Sequence, residues 1–459
     1  MTINDINISD IIQARRMDPI FFRYGTSLFG KKYKLESIGS CTIDIQSGVG
    51  AGKGDQASEA NGIVQIRPTN IDKDGLLVFD KNVYVPIEAN MPSLRENDVV
   101  FNNTNSQELV GKTAIFRGNE PYRFSNHITR IRVNQDKILP EYLWLILNLY
   151  QRKSIFYSIC TNWNNQSGVG NELLKSTRIP LPILEEQKEI VNFYTEAQKV
   201  KQAKNEEAKS LLDSIEPFLS EVLDIVFDQK QEKNPVFSTM VSNLIGRRLD
   251  VSSYKKHFEM LSNKYPNKKL SSIVEIDPTI KLDVFNKETI ISFIPMECID
   301  EKFGEVAEQR EIAISQIKGY TKFEEGDLLW AKITPCMQNG KSAIARNLKN
   351  GIGCGSTEYY VIRPKTEDLL VDYVYLILRH SEVLKAAQGS FGGSAGQQRV
   401  SSQYMKSIVV PFPSKDIQQS IVDVVKEWKQ RAKRLQKEGV ELLEIAKQEI
   451  EKRILGEYE

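Results

Sequence analysis

The chain has 459 residues, 41% apolar and 26% charged, which is room for two or three domains with their own cores and the balance of an ordinary soluble globular protein. A formal net charge of +1 neither supports nor excludes nucleic acid, because acidic helices can offset basic clefts. Cys41, Cys160, Cys298, Cys336 and Cys354 are scattered without a CxxC pair, so they read as reduced cytosolic thiols rather than a disulfide frame or zinc site. The start, Met1-Thr2-Ile3-Asn4-Asp5, lacks a secretory pattern, and the longest apolar run, at 142–147, is too short to span a bilayer. A cytoplasmic location is expected.

Arg15-Arg16-Met17-Asp18 opens the chain, and Asp18-Pro19-Ile20-Phe21 is a near miss to the Asp-Pro-Pro-Tyr/Phe motif of amino-methyltransferases. It lacks the second proline, and no glycine-rich cofactor loop follows a strand nearby, so it reads as a turn. Gly48-Val49-Gly50-Ala51-Gly52-Lys53-Gly54-Asp55 suggests a phosphate loop, but Lys53 is followed by Gly54 and no glycine stands five before Gly52. A flexible loop touching a DNA backbone fits it better.

Strands are expected at 63–66, 99–101, 113–116 and 127–133. A helix is expected over 140–157 with Pro140 in its first turn, then a loop at 164–168. Ile179-Pro180-Leu181-Pro182 leads into a charged run, 185–226, with apolar or small residues at 190, 194, 197, 208, 211, 215, 218 and 222. That is the three-and-four spacing of a coiled-coil seam, with Lys201 and Lys204 interrupting its middle. A linker at 228–233 and Asn234-Pro235 close the helix.

The run then returns at a constant offset of 231 positions, from Pro180 to Pro411, Gln187 to Gln418 and Ile190 to Ile421. Its seam continues through Val425, Trp428, Ala432, Leu435, Leu442 and Ala446. A helix of roughly 40 residues is about 60 Å long, and two with matching stripes are expected to pack on each other. The rest of the chain repeats as well. Arg15-Arg16-Met17-Asp18 matches Arg247-Arg248-Leu249-Asp250, and Lys34-Leu35-Glu36-Ser37-Ile38 matches Lys269-Leu270-Ser271-Ser272-Ile273. Residues 94–100 match 323–329 around Asp98 and Asp327, 111–115 match 340–344, and 139–147 match 370–378. The loop at 164–168 corresponds to a Gly- and Ser-rich stretch at 389–398. Residues 41–92 and 276–320 share little beyond strand-like alternation.

No arrangement supports catalysis. His127, His257 and His380 are far apart without acidic companions at metal-ligand spacing. There is no nucleophile elbow, and Asp98 and Asp327 read as turn-forming carboxylates. The cations are more informative. Arg117, Arg123, Arg130 and Arg132 fall in one strand-rich stretch with Tyr122, Phe124 and Asn126 between them, and Lys332, Lys341, Arg346 and Lys349 occupy comparable places. Arg and Lys position phosphates, and Arg, Asn and Gln read base edges, although surface strands also carry solvated cations.

On the paired Ile-Pro-Leu-Pro … Glu-Glu-Gln-Lys-Glu-Ile-Val block at 179–191 and its copy at 410–422, with the Asp98 and Asp327 turns and the Gly-Lys-(Thr/Ser)-Ala-Ile strands, the chain resembles the specificity subunit of type I restriction–modification systems. The likeness runs nearly full length; the second copy departs at Lys415-Asp416-Ile417-Gln418-Gln419. The resemblance implies an α+β chain with an internal pseudo-twofold repeat, in which two mixed α/β target recognition domains are separated by two long antiparallel helices forming an intramolecular coiled coil. The boundaries are a conserved segment at 1–20, domains at 21–184 and 234–414, and helical regions at 185–233 and 415–459. Each domain is expected to read one half of a split, asymmetric double-stranded DNA sequence. The helices set the unread spacer and dock two methyltransferase subunits, and restriction subunits join the complex. S-adenosylmethionine, ATP and Mg are expected on the partners, and this chain binds no cofactor or metal and is not an enzyme.

Expected DNA contacts are Lys53, Arg67, Asn102, Asn103, Lys112, Arg117, Arg123 and Arg130 in the first half, and Lys332, Thr334, Gln338, Lys341 and Arg346 in the second. Ile190, Tyr194, Ala197, Leu211, Ile215, Ile421, Val425, Trp428, Leu435 and Leu442 are expected in the coil and subunit docking. The alternatives are a subunit serving a methyltransferase without a nuclease, a structural adaptor with no DNA affinity, and an enzyme whose site uses unremarkable residues.

Overall fold

A computed structural model describes residues 32–87, 91–163, 166–227, 260–282, 284–392 and 398–455. The openings at 15–18 and 247–250, the motif at 18–21, His257 and the linker at 228–235 lie outside the described residues. The chain divides into two compact units, Met1–Ala203 with Glu438–Glu459, and Lys204–Lys437. Helices Leu184–Asp213 and Lys415–Leu455 contribute residues to both.

In the first unit an antiparallel sheet runs in the order Thr42–Ser47, Ile128–Val133, Val99–Asn102, Thr113–Ile115. A smaller sheet sets Gly62–Ile66 antiparallel to Val83–Pro86 and parallel to Arg123–Phe124. The second unit has the same two patterns. One sheet is ordered Val274–Ile276, Tyr359–Pro364, Leu328–Ala331, Ser342–Ile344, and in the other Ile290–Ile294 lies antiparallel to Arg310–Ala313 and parallel to Ile352–Gly355. The expected strands are therefore present, within a residue or two at their ends.

The short blocks that match in sequence hold matching bonds. Asp98 and Asp327 are almost fully buried. Each accepts a backbone N–H from three residues earlier, Arg95 at 2.8 Å and Glu324 at 2.7 Å. Each also takes both guanidinium arms of an arginine on the neighbouring strand, Arg132 at 2.8 Å and Arg363 at 2.7 Å. The residue before the aspartate takes a positive φ, 70° at Asn97 and 86° at Gly326, which suits the two residue types that best tolerate left-handed backbone. These carboxylates brace a turn and a strand.

Gln187 and Gln418 also act alike, and both are fully buried. Gln187 accepts from Leu139 N at 2.9 Å and donates to the carbonyls of Lys137 (3.0 Å) and Pro182 (2.9 Å). Gln418 accepts from Leu370 N at 2.9 Å and donates to Asp368 (3.0 Å) and Pro413 (2.9 Å). Each glutamine thereby ties the start of a long helix to the start of helix Pro140–Arg152 or Val371–Leu378. Tyr142 and Tyr373 complete the join by donating to the carbonyls of Pro180 and Pro411, both at 3.0 Å.

In the first unit Ile190 and Tyr194, with Ala197 partly buried, share one core with Leu443, Ile450 and Ile454. Arg453 lies 4.5 Å over the Phe193 ring, and Gly439 faces Lys201, so the helices run antiparallel here. In the second unit Ile215, Phe218 and Val222 pack with Ile421 and Val425. Leu211 packs with Ala432 and Leu435, and Phe218 meets Trp428 at 5.2 Å between ring centroids.

Four expectations are corrected. The helix expected over 185–226 stops at Asp213, resumes as Ile215–Leu223, and ends at Asp224 in left-handed backbone with φ 47°. Pro217 has no N–H for the carbonyl of Asp213, and its ring crowds that carbonyl. Leu442 is 41% exposed while Leu443 is buried; the buried series 435, 439, 443 steps by four twice, because a 3.6-residue helix drifts out of a strict heptad. The helix expected over 140–157 is two, Pro140–Arg152 and Ile155–Ile159, separated by Ser154 at φ 60°. The expected loop at 164–168 holds a strand, Gln166–Gly168, and its counterpart begins with a strand at Phe391–Gly392.

Lys201 donates to Asp74 at 2.8 Å, and Lys447 reaches the other oxygen of the same carboxylate at 3.0 Å. Burial pushes Asp74 up, but the two lysines outweigh it and hold the carboxyl below its ordinary range. The residue that makes room beside the Lys201 stem is Gly439, where an added Cβ would stand 3.4 Å from Lys201 Cα. Among the described residues no helix is long and apolar enough to cross a membrane.

Candidate nucleic-acid interface

At one end of the first unit's central sheet the side chains turn from apolar to hydroxyl and amide. The Ser47 and Thr129 hydroxyls, cross-strand partners, both donate to Asn171 Oδ1 at 3.1 Å. Asn103 Nδ2 donates to Thr129 Oγ1 at 2.9 Å and to the Asn126 carbonyl at 3.1 Å, and Asn103 Oδ1 accepts from Thr104 at 2.8 Å. Every member holds another, so this end is rigid.

A two-stranded ribbon grows from it. Thr161–Trp163 pairs with Gln166–Gly168, which pairs with Thr104–Asn105, and Val169 N donates to the Asn103 carbonyl at 2.9 Å. Thr161, Asn162, Trp163 and Gln166 are all exposed. Asn162 Oδ1 accepts from Ser167 at 2.6 Å. A Cβ added at Gly168 would meet Trp163 Cη2 at 2.4 Å, so the indole rests on a bare backbone that only glycine provides.

The second unit builds the same attachment from other residues. Val400 N donates to the Lys332 carbonyl at 2.9 Å and Thr334 N to the Gln398 carbonyl at 3.0 Å. By those bonds Arg399 stands where the first unit has Gly168, and its guanidinium takes both oxygens of Glu358 at 2.8 Å. That bond holds the Glu358 carboxyl below its ordinary range. Lys332 lies 5.1 Å from the centre of the Tyr360 ring, and Tyr360 donates to the Val400 carbonyl at 2.8 Å.

Most of the cations and amides expected to contact DNA are engaged inside their own unit. Asn102 is fully buried and donates to the Leu109 carbonyl, and Asn103 belongs to the network. Arg67 holds Gln65 and the Ala51 carbonyl, and Lys112 donates to the Ile71 carbonyl at 2.6 Å. Burial lowers the Lys112 pKa. Arg117 bonds Asn97 and Glu141, and Arg123 donates to the Met91 carbonyl at 2.9 Å. Arg130 is buried between Asp44, Gln46 and the Ser93 carbonyl. In the second unit Lys341 points to the Met296 carbonyl at 3.3 Å, and Arg346 pairs with Asp372 at 2.6 Å. Thr334 is half-buried.

Four of the expected contacts are exposed, Lys53, Arg117, Gln338 and Arg346, the two arginines within the ion pairs just given. Lys53 sits in a tight turn where Asp55 accepts the Gly52 N–H at 3.0 Å, so a carboxylate already occupies what a phosphate loop would offer. Sequence reasoning missed the ribbon. Its signal was a lone tryptophan inside the polar run Thr161-Asn162-Trp163-Asn164-Asn165-Gln166. His380 is buried and caps helix Ser381–Gln388 by accepting from Glu382 N.

The model of the family described as Type I restriction modification DNA specificity domain matches residues 69–210 and 263–444. The specificity subunits of the type I restriction enzymes EcoEI and EcoAI from Escherichia coli are 38% identical over 175 residues and 39% over 178. Each match takes in 38% of this chain and 29% of the relative, so the chain spans under a third of the length of these two. A solved chain from a study of complex assembly and conformational transition of the type I R-M system is similar over 93% of this chain and 97% of its own length. Its TM-score is 0.53 at 16% identity, which is a likeness of fold.

Proposed function

The chain belongs to the type I restriction–modification DNA specificity family, and from that premise we propose that it reads a two-part, asymmetric sequence in double-stranded DNA, one part with each unit. In this reading it carries no chemistry of its own. It delivers the target to methyltransferase subunits that bind S-adenosylmethionine, and restriction subunits supplied with ATP and Mg join them.

The observation that carries the reading is one frame bearing two different faces. The Asp98–Arg132 and Asp327–Arg363 braces and the Gln187 and Gln418 joins match bond for bond. The ribbons they support present Trp163 over Gly168 in one unit and the Arg399–Glu358 pair in the other. A duplicated scaffold with unlike ends suits an asymmetric target, since phosphate contacts position a protein and the groove-facing side chains specify sequence. Linking two readers makes the second contact effectively intramolecular. The two long helices are, in this proposal, an intramolecular coiled coil that joins the copies and sets the unread gap. Its support is that residues of both helices share a core within each unit, Ile190 and Tyr194 with Leu443 in the first and Ala208 and Leu211 with Ala432 in the second.

The test is to co-express the chain with its neighbouring methyltransferase and map methylated adenines genome-wide. The expected result is a two-part motif with an unread gap. A contiguous motif, or none, overturns the reading. Deleting about seven residues, one heptad, from both long helices in register should shorten the gap and leave both half-motifs unchanged.

A further inference from the structure

The chain has four tryptophans. Trp144 and Trp330 are buried, Trp428 is half-buried against Phe218, and Trp163 is 46% exposed. Trp163 lies on the outer strand of the ribbon, directly across from Gln166. Its ring is held in place, because the Gly168 backbone lies beneath it. Below the ribbon the Ser47, Asn103, Thr129 and Asn171 network gives a stiff base. The ribbon therefore presents one large ring, fixed in place, among hydrogen-bonding side chains.

Building on the specificity reading above, we propose that Trp163 is an aromatic wedge that stacks on a base of the half-site read by the first unit, with Gln166, its cross-strand partner on the same face, beside it to meet base edges. The occupant is double-stranded DNA, for three reasons. A two-stranded ribbon fits the major groove, and amides there pair with adenine. Aromatic and apolar side chains wedge between base steps or stack on bases. The flanking exposed side chains are uncharged hydrogen-bonding groups, Thr161, Asn162 and Gln166, rather than the apolar rim that would extend a protein–protein core. Among the described residues the second unit does not repeat the device, since Arg399 replaces the bare glycine. The wedge therefore acts in one half-site only.

The experiment uses the full chain with its methyltransferase subunit and duplexes bearing the motif found by methylation mapping. Each half is scrambled in turn, and 2-aminopurine is placed in each half. Trp163→Ala should melt like the wild type, bind the intact duplex about tenfold or more weakly, and lose the 2-aminopurine brightening in one half. When that same half is scrambled, the variant and wild type should bind alike. Trp163→Phe should restore part of the affinity. Gly168→Ala, which pushes the ring off its seat, should behave like Trp163→Ala. The proposal is overturned if Trp163→Ala binds within about twofold of wild type, or loses the same factor on both scrambled duplexes. It is also overturned if adding methyltransferase without DNA already shields the indole from acrylamide quenching. If mapping yields no two-part motif, the specificity reading falls and the wedge with it, whereas a two-part motif indifferent to Trp163 refutes the wedge alone.

Discussion

Gln187→Met tests whether its helix join is what holds the first unit's own elements together. Methionine matches glutamine in length and removes its amide, so packing is nearly preserved. Three backbone partners lose their bonds, the N–H of Leu139 and the carbonyls of Lys137 and Pro182. Each net hydrogen bond is worth about 1 kcal/mol, and a buried group left unpaired costs about 1–3. Gln187 is fully buried while Leu139 and Lys137 are partly or fully exposed, so not every partner bears the full penalty and the expected loss is about 3–5 kcal/mol for the first unit. The assay is hydrogen–deuterium exchange on the full chain. Peptides covering 137–143 and 182–190 should exchange about a hundredfold or more faster, while those covering 368–374 and 413–421 keep their protection. Gln418→Met should give the mirror image. Equal loosening of both sets, or no change in either, would refute the reasoning.

Three more outcomes follow from the same frame. Asp98→Asn and Asp327→Asn each keep the shape but leave an arginine facing a neutral amide; each should destabilise its unit by about 2–4 kcal/mol in urea unfolding, and an effect below about 0.5 would mean the brace is idle. Leu443→Ala should cost about 2–4 kcal/mol and the neighbouring Leu442→Ala less than about 1, the reverse of what a strict heptad expects. Lys429 donates to the Phe303 carbonyl at 2.9 Å and Tyr375 Oη at 2.7 Å, and burial pushes its pKa down from 10.5 to about 7. Between those values the unfolded chain holds the extra proton, so this residue makes stability rise with pH by up to about 1.4 kcal/mol per unit, and adds no slope below pH 7. Lys429→Met should flatten the urea midpoint against pH from 7 to 9.5 relative to wild type, and parallel curves would contradict the assignment.

The frame was legible because its signals are short and local. The Gln187 and Gln418 blocks, the Asp98 and Asp327 turns and the alternating strands each combine one backbone need with one side chain that meets it, and they recur at similar spacing. The helix boundaries were less legible. Pro217 lies inside a run whose apolar stripe continues past it, and the stripe concealed the missing N–H. Leu442 and Leu443 are adjacent leucines, so only the packed partner decides which one enters the seam. The Lys201 break was visible as an anomaly, but its partner, Asp74, is 127 positions away, in a segment with little counterpart in the other half.

Where the strand cations point was illegible for a different reason. An arginine on a strand looks the same in sequence whether it faces phosphate or a carboxylate of its own domain. Arg130 and Arg132 are two residues apart on one strand, and both close on internal acids, Asp44 and Asp98. Arg363 and Arg399 do the same with Asp327 and Glu358. On the ribbon itself the exposed described side chains are a hydroxyl, two amides and one indole, Thr161, Asn162, Gln166 and Trp163. Such groups discriminate bases but neutralise few phosphates, so if the ribbon meets DNA as proposed, its contribution is to shape and hydrogen-bond pattern more than to charge. Cations mark where this fold is braced; the ribbon, with its one glycine under a ring, marks where its two halves differ.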